Sequence, residues 1–361
     1  MKWILVMVAL ACLASPASAQ SVPNLPLESV PNFLKYAADL NFGEILSVAV
    51  NSKGHLVLLN HPGSANTGPI YGNATTQLIE FDENGEYLRE IGHGVYGLAY
   101  GHSVRFDKYD NLWVVDKASM SVMRFNAAGR VTLNLGRRPE GPDQHHYIEK
   151  GDPPPTPVDG LFNGTTDVAW DSADNIYISD GYFNSRVAKF DKHGNWIKAW
   201  GSPGKGGEHA DENPSQFSTP HNIGIDHQGN VYVADRGNRR IQVFDLEGTF
   251  KKFIFLNVPY NKTRHPVLGN LLSNPPDETA PWTICITGGT HQYLYTTDAE
   301  PGRLYKISLP DGKILGKFGE SGHELGQFNW VHGIACPSED VLYVADMNNW
   351  RVQKLVRKRN N

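Results

Sequence analysis

Short stretches in which apolar and polar residues alternate recur along the chain, separated by turns rich in Asp, Gly and Asn. Alternation with a period of two predicts β-strands that are buried on one face. In the clearest copy, HSVRFDKYDNLWVVD supplies two strands and the turn between them, and SVMRFNAAGRV supplies a third strand. The copies occupy residues 44–92, 99–136, 162–201, 217–255, 280–319 and 328–355.

Six copies of about 40 residues, each a four-stranded meander, are the sequence signature of a β-propeller. We therefore predict an all-β fold, a six-bladed propeller whose units resemble NHL repeats. The sixth copy ends after three strands. We expect a strand from the N-terminal segment at about 33–40, NFLKYAAD, to complete that blade and close the ring.

The first residues predict export. Lys2 precedes an apolar run over residues 3–13, and small residues follow at Ala17 and Ala19. This is the pattern of a signal peptide over residues 1–19, and the run is too short to span a bilayer. We expect residues 20–361 to form one secreted domain, extracellular or periplasmic, with no membrane partner.

Charge and cysteine content narrow the function classes. With 33 basic and 38 acidic residues the net charge is −5, which argues against nucleic acid as a partner. We expect a monomer that binds a small molecule or a peptide. Outside the signal peptide the cysteines are Cys285 and Cys336, too few for a disulfide scaffold, and the sequence does not decide whether they pair.

One position in the first strand of each blade carries the main chemical signal. Histidine occupies this position in the second, fourth and sixth blades, as His102, His221 and His332. The innermost strands of a propeller line its central channel, so alternate blades direct three imidazoles towards one point. Three neutral imidazoles with a vacant fourth position are typical of a catalytic zinc site. The six residues at this position are Leu46, His102, Thr166, His221, Trp282 and His332.

Two further residues follow second strands and should lie on the same face as the histidines. Arg236, in VADRGNRR, offers a guanidinium fork that suits a substrate carboxylate. Tyr182, in SDGYFNSR, is a candidate general base beside a metal and a guanidinium.

The repeat pattern, the histidines and the motifs GYFNSR, STPHNIGID, VADRGNRRIQVF and VHGIAC resemble the peptidyl-α-hydroxyglycine α-amidating lyase family. The resemblance implies cleavage of a peptidyl-α-hydroxyglycine, or a similar α-hydroxyglycine amide, to an amide and glyoxylate. It also implies that His102, His221 and His332 bind zinc, that Tyr182 is the catalytic base, and that Arg236 lies beside it.

The chain departs from this family at three positions. The family has a substrate-binding arginine where this chain reads Asn60-His61-Pro62-Gly63, and we take His61 as its replacement. The family's calcium-binding aspartate corresponds to Gly333, so a calcium site would depend on the carbonyls of Val48 and Val104 and would be weak. A cysteine of the family is Phe183 here.

Two other functions stay open from the sequence alone. The same zinc could hydrolyse a lactone or an ester through a metal-bound hydroxide. Alternatively, the propeller could be non-catalytic and bind a peptide or a glycan at its rim, because this fold carries many functions.

Overall fold

A computed structural model describes residues 21–62, 76–137, 156–204, 213–260, 279–298, 301–309 and 311–358. The predicted signal peptide lies outside these residues. Within them the chain forms six four-stranded antiparallel sheets arranged as the blades of a propeller, which confirms the predicted fold.

The strands of each blade are given from the innermost to the outermost. Blade one contains Glu44–Val50, Leu56–His61, Gln77–Phe81 and Tyr87–Ile91. Blade two contains Gly101–Phe106, Leu112–Asp116, Ser121–Phe125 and Val131–Gly136. Blade three contains Asp167–Trp170, Ile176–Asp180, Arg186–Phe190 and Trp196–Trp200. Blade four contains Pro220–Ile225, Val231–Asp235, Arg240–Phe244 and Phe250–Ile254.

Blade five contains Cys285–Ile286, Tyr293–Thr297, Leu304–Ser308 and Ile314–Phe318. Blade six contains Val331–Ala335, Val341–Asp346, Arg351–Arg357 and the N-terminal strand Leu27–Val30. Two short parallel ladders pair Ser202–Pro203 with Gln216–Phe217 and Glu320–Ser321 with Gln327–Phe328. Single 3-10 turns lie at Arg236–Asn238 and Met347–Asn349.

An N-terminal strand does complete blade six, but its predicted position at 33–40 is wrong. Leu27–Val30 pairs antiparallel with Arg351–Arg357, from Leu27 opposite Arg357 to Val30 opposite Lys354. The apolar residues of segment 33–40 pack instead over the junction of blades six and one, where the Phe33 and Tyr343 ring centroids are 5.8 Å apart. The true outer strand is half exposed and reads LESV, so it has too few apolar residues to be recognised from its pattern.

Hydrophobic packing between neighbouring blades holds the ring together. The described residues form six buried apolar clusters, and each cluster joins one pair of adjacent blades. Val57 and Val114, for example, share the cluster between blades one and two. Every blade thus buries both faces of its sheet, which fixes the inner strands around the channel.

A disulfide between Cys285 and Cys336 links blades five and six, with their Cα atoms 6.0 Å apart. It resolves the pairing that the sequence left open. Disulfides are typical of oxidising compartments, which agrees with the expected export. Among the described residues no helix has the length and apolar character needed to cross a bilayer.

The aspartates of the repeat have structural roles at both ends of the second strand. In the DKYDN turn the Asp107 carboxylate accepts the N–H groups of Tyr109 and Asn111. At the other end, Asp116 accepts the N–H groups of Ala99 and Tyr100. These bonds fix the loops that carry the residues at the mouth of the channel.

Candidate metal centre

The three histidines predicted as metal ligands converge on the channel axis. Their ring centroids are 4.7 Å apart for His102 and His221, 4.8 Å for His102 and His332, and 4.7 Å for His221 and His332. One nitrogen from each ring lies within 4.8 Å of the other two. This is close enough for small ring rotations to place all three on a single ion.

The repeat itself orients each imidazole. The Nδ1 atom of each ring bonds to the backbone carbonyl of the residue at the same repeat position in the next blade. The pairs are His102 with Thr166 at 2.7 Å, His221 with Trp282 at 2.8 Å, and His332 with Leu46 at 3.0 Å.

A carbonyl oxygen only accepts hydrogen bonds, so each Nδ1 must carry the proton. In the neutral ring the Nε2 atom then presents its lone pair to the channel, as a metal ligand requires. The Nε2 atom of His221 is buried and has no hydrogen-bond partner among the described residues. The donor set therefore fits a divalent ion that favours imidazole, such as zinc.

The surroundings keep these rings uncharged. Burial lowers the pKa of His332 to about 3, and the charges of Arg236 and Lys117 add to this effect. Burial likewise holds the pKa of His102 and of His221 well below the usual value, with repulsion between the rings as a further cause. Neutral imidazole is the ligating form, so metal binding needs no deprotonation at neutral pH.

Tyr182 lies directly beside this cluster. Its hydroxyl oxygen is 3.1 Å from His102 Nε2, and because that nitrogen carries a lone pair, the hydroxyl donates the bond. The ring meets His102 edge to face, with centroids 5.4 Å apart. The structure thus brings the predicted base to the atom that would bind the metal.

Arg236 lies on another side of the cluster, in the 3-10 turn that follows the second strand of blade four. Its guanidinium carbon is 4.1 Å from the ring centroid of the buried Trp282. That indole also contacts His221, with centroids 4.7 Å apart. Stacking on Trp282 places a fixed positive charge beside the histidines.

His61, the predicted substitute for a substrate-binding arginine, is buried at the edge of the channel. Its ring packs against Tyr100 with centroids 4.6 Å apart, and neither ring nitrogen has a hydrogen-bond partner among the described residues. Burial lowers the pKa of His61 to about 3, so the ring is neutral at physiological pH. This placement does not favour the binding of a carboxylate.

Sequence reasoning missed Lys117 in blade two. Its Nζ atom lies 4.3 Å from the Tyr100 ring centroid and 4.5 Å from the Tyr182 ring centroid. Its charge also contributes to the low pKa of His102 and of His332. A signal was present, because Lys117 directly follows Asp116 just as Arg236 directly follows Asp235.

An ion pair joins the inner strands of blades two and three, between Arg105, three residues beyond His102, and the buried Asp167, which directly follows Thr166. The Asp167 carboxylate accepts bonds from Arg105 Nε at 3.0 Å and Nη2 at 2.5 Å. It also accepts bonds from Ser103 and Asn222, and Arg105 reaches on to the Ile284 carbonyl at 2.8 Å. The pair therefore connects blades two, three, four and five.

These residues do not fit the calcium site that we considered. A Cβ atom on Gly333 would lie 2.7 Å from the Leu46 carbonyl oxygen, so a carboxylate has no room there. The carbonyls of Val48 and Val104 thus lack an acidic ligand at position 333. Position 333 directly follows one of the six aligned positions. Among the six residues that follow them, the one carboxylate is Asp167, and it already binds Arg105.

Comparisons with known proteins bear on the repeat and on the wider relationships of the chain. The NHL repeat family matches residues 217–244. The chain is 26% identical over 334 residues to the rat peptidylglycine alpha-amidating monooxygenase, covering 86% of this chain and 30% of that protein. It is 23% identical over 384 residues to peptidyl-alpha-hydroxyglycine alpha-amidating lyase 1 of Drosophila melanogaster, covering 95% of this chain and 65% of that protein. The chain therefore spans less than two thirds of each of these relatives.

Solved structures support the architecture. A streptogramin B lyase structure superimposes with a TM-score of 0.55 at 13% identity, covering 93% of this chain and 98% of that one. At this identity the likeness concerns the fold alone. Together with the repeat match and the relatives, it identifies the chain as an NHL-repeat β-propeller related to the peptidyl-α-hydroxyglycine α-amidating lyases.

Proposed function

We propose that the protein is a secreted, zinc-dependent lyase that cleaves a peptidyl-α-hydroxyglycine, or a similar α-hydroxyglycine amide, to an amide and glyoxylate. The observation that carries this proposal is the convergence of three Nε2 lone pairs with the Tyr182 hydroxyl against one of them. The similarity to proteins named as α-hydroxyglycine lyases supports the choice of substrate.

His102, His221 and His332 would hold the zinc ion. When bound, zinc acts as a Lewis acid towards the oxygens of the α-hydroxyglycine unit. The carbonyl bonds at Nδ1 keep the rings in place, so the ligands are oriented before the metal arrives.

Tyr182 supplies the proton-transfer group. In its phenolate form, the Tyr182 oxygen would accept the proton of the substrate α-hydroxyl while the bond between the α-carbon and the amide nitrogen breaks. The hydroxyl oxygen would become the aldehyde oxygen of glyoxylate, and Tyr182 would return the proton it removed to the leaving nitrogen, which becomes the primary amide. The cleavage therefore consumes no water and needs no covalent intermediate with the protein.

Arg236 orients the substrate. Its guanidinium is stacked on Trp282 and faces the same cluster, so it can hold the carboxylate of the α-hydroxyglycine while the adjacent hydroxyl meets Tyr182. This arrangement keeps the reacting carbon close to both groups.

A glyoxylate-release assay tests the proposal. Purified zinc-loaded protein is incubated with N-benzoyl-α-hydroxyglycine, and glyoxylate and benzamide are measured separately. We expect equal amounts of both products from the wild type and loss of both in Tyr182→Phe, which should still bind zinc. Full activity in Tyr182→Phe would refute the base assignment.

A wild-type protein that binds zinc but releases no glyoxylate would refute the lyase proposal. Hydrolysis of an ester or lactone by the same preparation would then favour the zinc hydrolase that the sequence left open. Tyr232→Phe is a matched control, because that hydroxyl bonds to Asp226 in a turn and not to the metal centre.

A further inference from the structure

Among the residues that the structure describes, Lys117 flanks the histidine cluster as well as Arg236. Lys117 and Arg236 each follow the aspartate that ends a second strand, in blades two and four. In blade two the backbone after Asp116 is fixed, because the Lys117 N–H donates to the Tyr100 carbonyl at 3.0 Å. The loop therefore delivers the lysine to the mouth of the channel at a defined position.

The ammonium group of Lys117 is held by aromatic faces. Its Nζ atom lies over the rings of Tyr100 and Tyr182, at 4.3 and 4.5 Å from their centroids. Among the described residues it forms no ion pair with a carboxylate. Cation–π contacts orient a lysine but leave its N–H donors available for an anion.

The position of Lys117 relative to Tyr182 defines what such an anion would be. Tyr182 has its hydroxyl at His102 and its ring against Lys117, so one side chain separates the metal ligand from the ammonium. In an α-hydroxyglycine the carboxylate is attached to the same carbon as the hydroxyl. A hydroxyl that meets Tyr182 therefore brings its carboxylate within reach of the ammonium.

We propose that Lys117 is a substrate-binding residue that, together with Arg236, clamps the carboxylate of the α-hydroxyglycine unit. This inference rests on the proposed lyase function and deepens it. It assigns to Lys117 the anion-binding role that the buried, neutral His61 is poorly placed to perform. The two cations approach from different blades, so the clamp selects a free carboxylate over an ester or an amide at this position.

Steady-state kinetics of Lys117→Met test the clamp. With N-benzoyl-α-hydroxyglycine we expect KM to rise about 10- to 100-fold, the loss typical of one charge-assisted hydrogen bond, with a smaller change in kcat. The methyl ester of the same substrate lacks the carboxylate charge, so its kcat/KM should differ less than threefold between wild type and variant. Lys117→Arg should keep most of the affinity.

A second measurement does not depend on turnover. N-benzoylglycine has the carboxylate but no hydroxyl, and its binding to zinc-loaded protein is measured by calorimetry. We expect Lys117→Met to weaken this binding by a similar factor. Lys53→Met, at an exposed turn of blade one, serves as the control that changes charge equally.

The outcomes separate the clamp from the lyase proposal. A wild type that releases no glyoxylate refutes the lyase function, whatever the effect of the Lys117 substitution. An active wild type whose KM and N-benzoylglycine affinity are unchanged in Lys117→Met overturns the clamp alone. A fall in kcat at constant KM also overturns it, because that result would mean that Lys117 acts only by positioning Tyr182. Zinc content and thermal unfolding of each variant show whether it has folded.

Discussion

Replacement of Arg105 by methionine tests how the channel is held together. Asp167 is fully buried, while the Arg105 side chain is 20% exposed and binds Asp167 through two nitrogens. Methionine preserves much of the length of the side chain but leaves the carboxylate without its counter-charge. Removing one partner of a buried pair costs about 3–5 kcal/mol.

The loss should be visible in thermal unfolding. At roughly 2 °C per kcal/mol for a chain of this size, the expected fall in Tm is about 6–10 °C. Circular dichroism and urea unfolding of the wild type, Arg105→Met and the surface control Lys53→Met provide the comparison. The double variant Arg105→Met with Asp167→Asn should recover at least half of the lost stability, because the buried charge is then absent.

The same thermal unfolding measurement tests whether the protein binds calcium. We expect added calcium to leave the Tm of the zinc-loaded wild type unchanged, because Arg105 supplies a fixed positive charge to Asp167. For the ion pair, a fall of less than about 1 kcal/mol in the free energy of unfolding of Arg105→Met would show that the pair adds little to stability. A rise in wild-type Tm with calcium would show that a calcium site exists even though Asp167 is paired with Arg105 and position 333 is a glycine.

Three further predictions concern other parts of the ring. Gly333→Asp should destabilise the protein even with calcium present, because a Cβ atom there lies 2.7 Å from both the Leu46 carbonyl oxygen and the Ser47 Cα; a normal Tm would contradict this. Replacing Cys285 and Cys336 by serine should lower the free energy of unfolding by about 2–4 kcal/mol, measured in urea against the oxidised, disulfide-bonded wild type. The folded-state pKa of His61 is about 3 against an ordinary 6.5, so the unfolded chain binds more protons and stability is lost as pH falls from 6.5 towards 3. His61→Leu should reduce this loss, and an unchanged pH profile would count against the burial of a neutral ring.

The repeat made most of the fold predictable. Six copies with the same turn chemistry give the number of blades, and Asp107 and Asp116 bond as such turn residues should. The closing strand was misplaced because an outer strand is half exposed and needs little apolar alternation. The apolar residues near Phe33 cover a blade junction, which produces a strand-like pattern without a strand.

The histidine cluster was predictable for the same reason, since equivalent positions in a closed ring must face the axis. The surroundings of Lys117 and of His61 were not predictable from the repeat, because each side chain is positioned by aromatic neighbours. Tyr100 contacts both side chains, and it packs His61 away from solvent while orienting the Lys117 ammonium. Such contacts depend on the geometry of the loops between strands, which the repeat pattern does not encode.

Metal analysis of protein purified without chelators is the most direct test of the central claim that three imidazoles bind one catalytic ion. Inductively coupled plasma mass spectrometry should find about one zinc per chain in the wild type. His102→Ala, His221→Ala and His332→Ala should each lose most of it while retaining a folded circular dichroism spectrum. Zinc-free wild-type protein that stays zinc-free after incubation with the metal, or zinc that survives all three substitutions, would contradict the account.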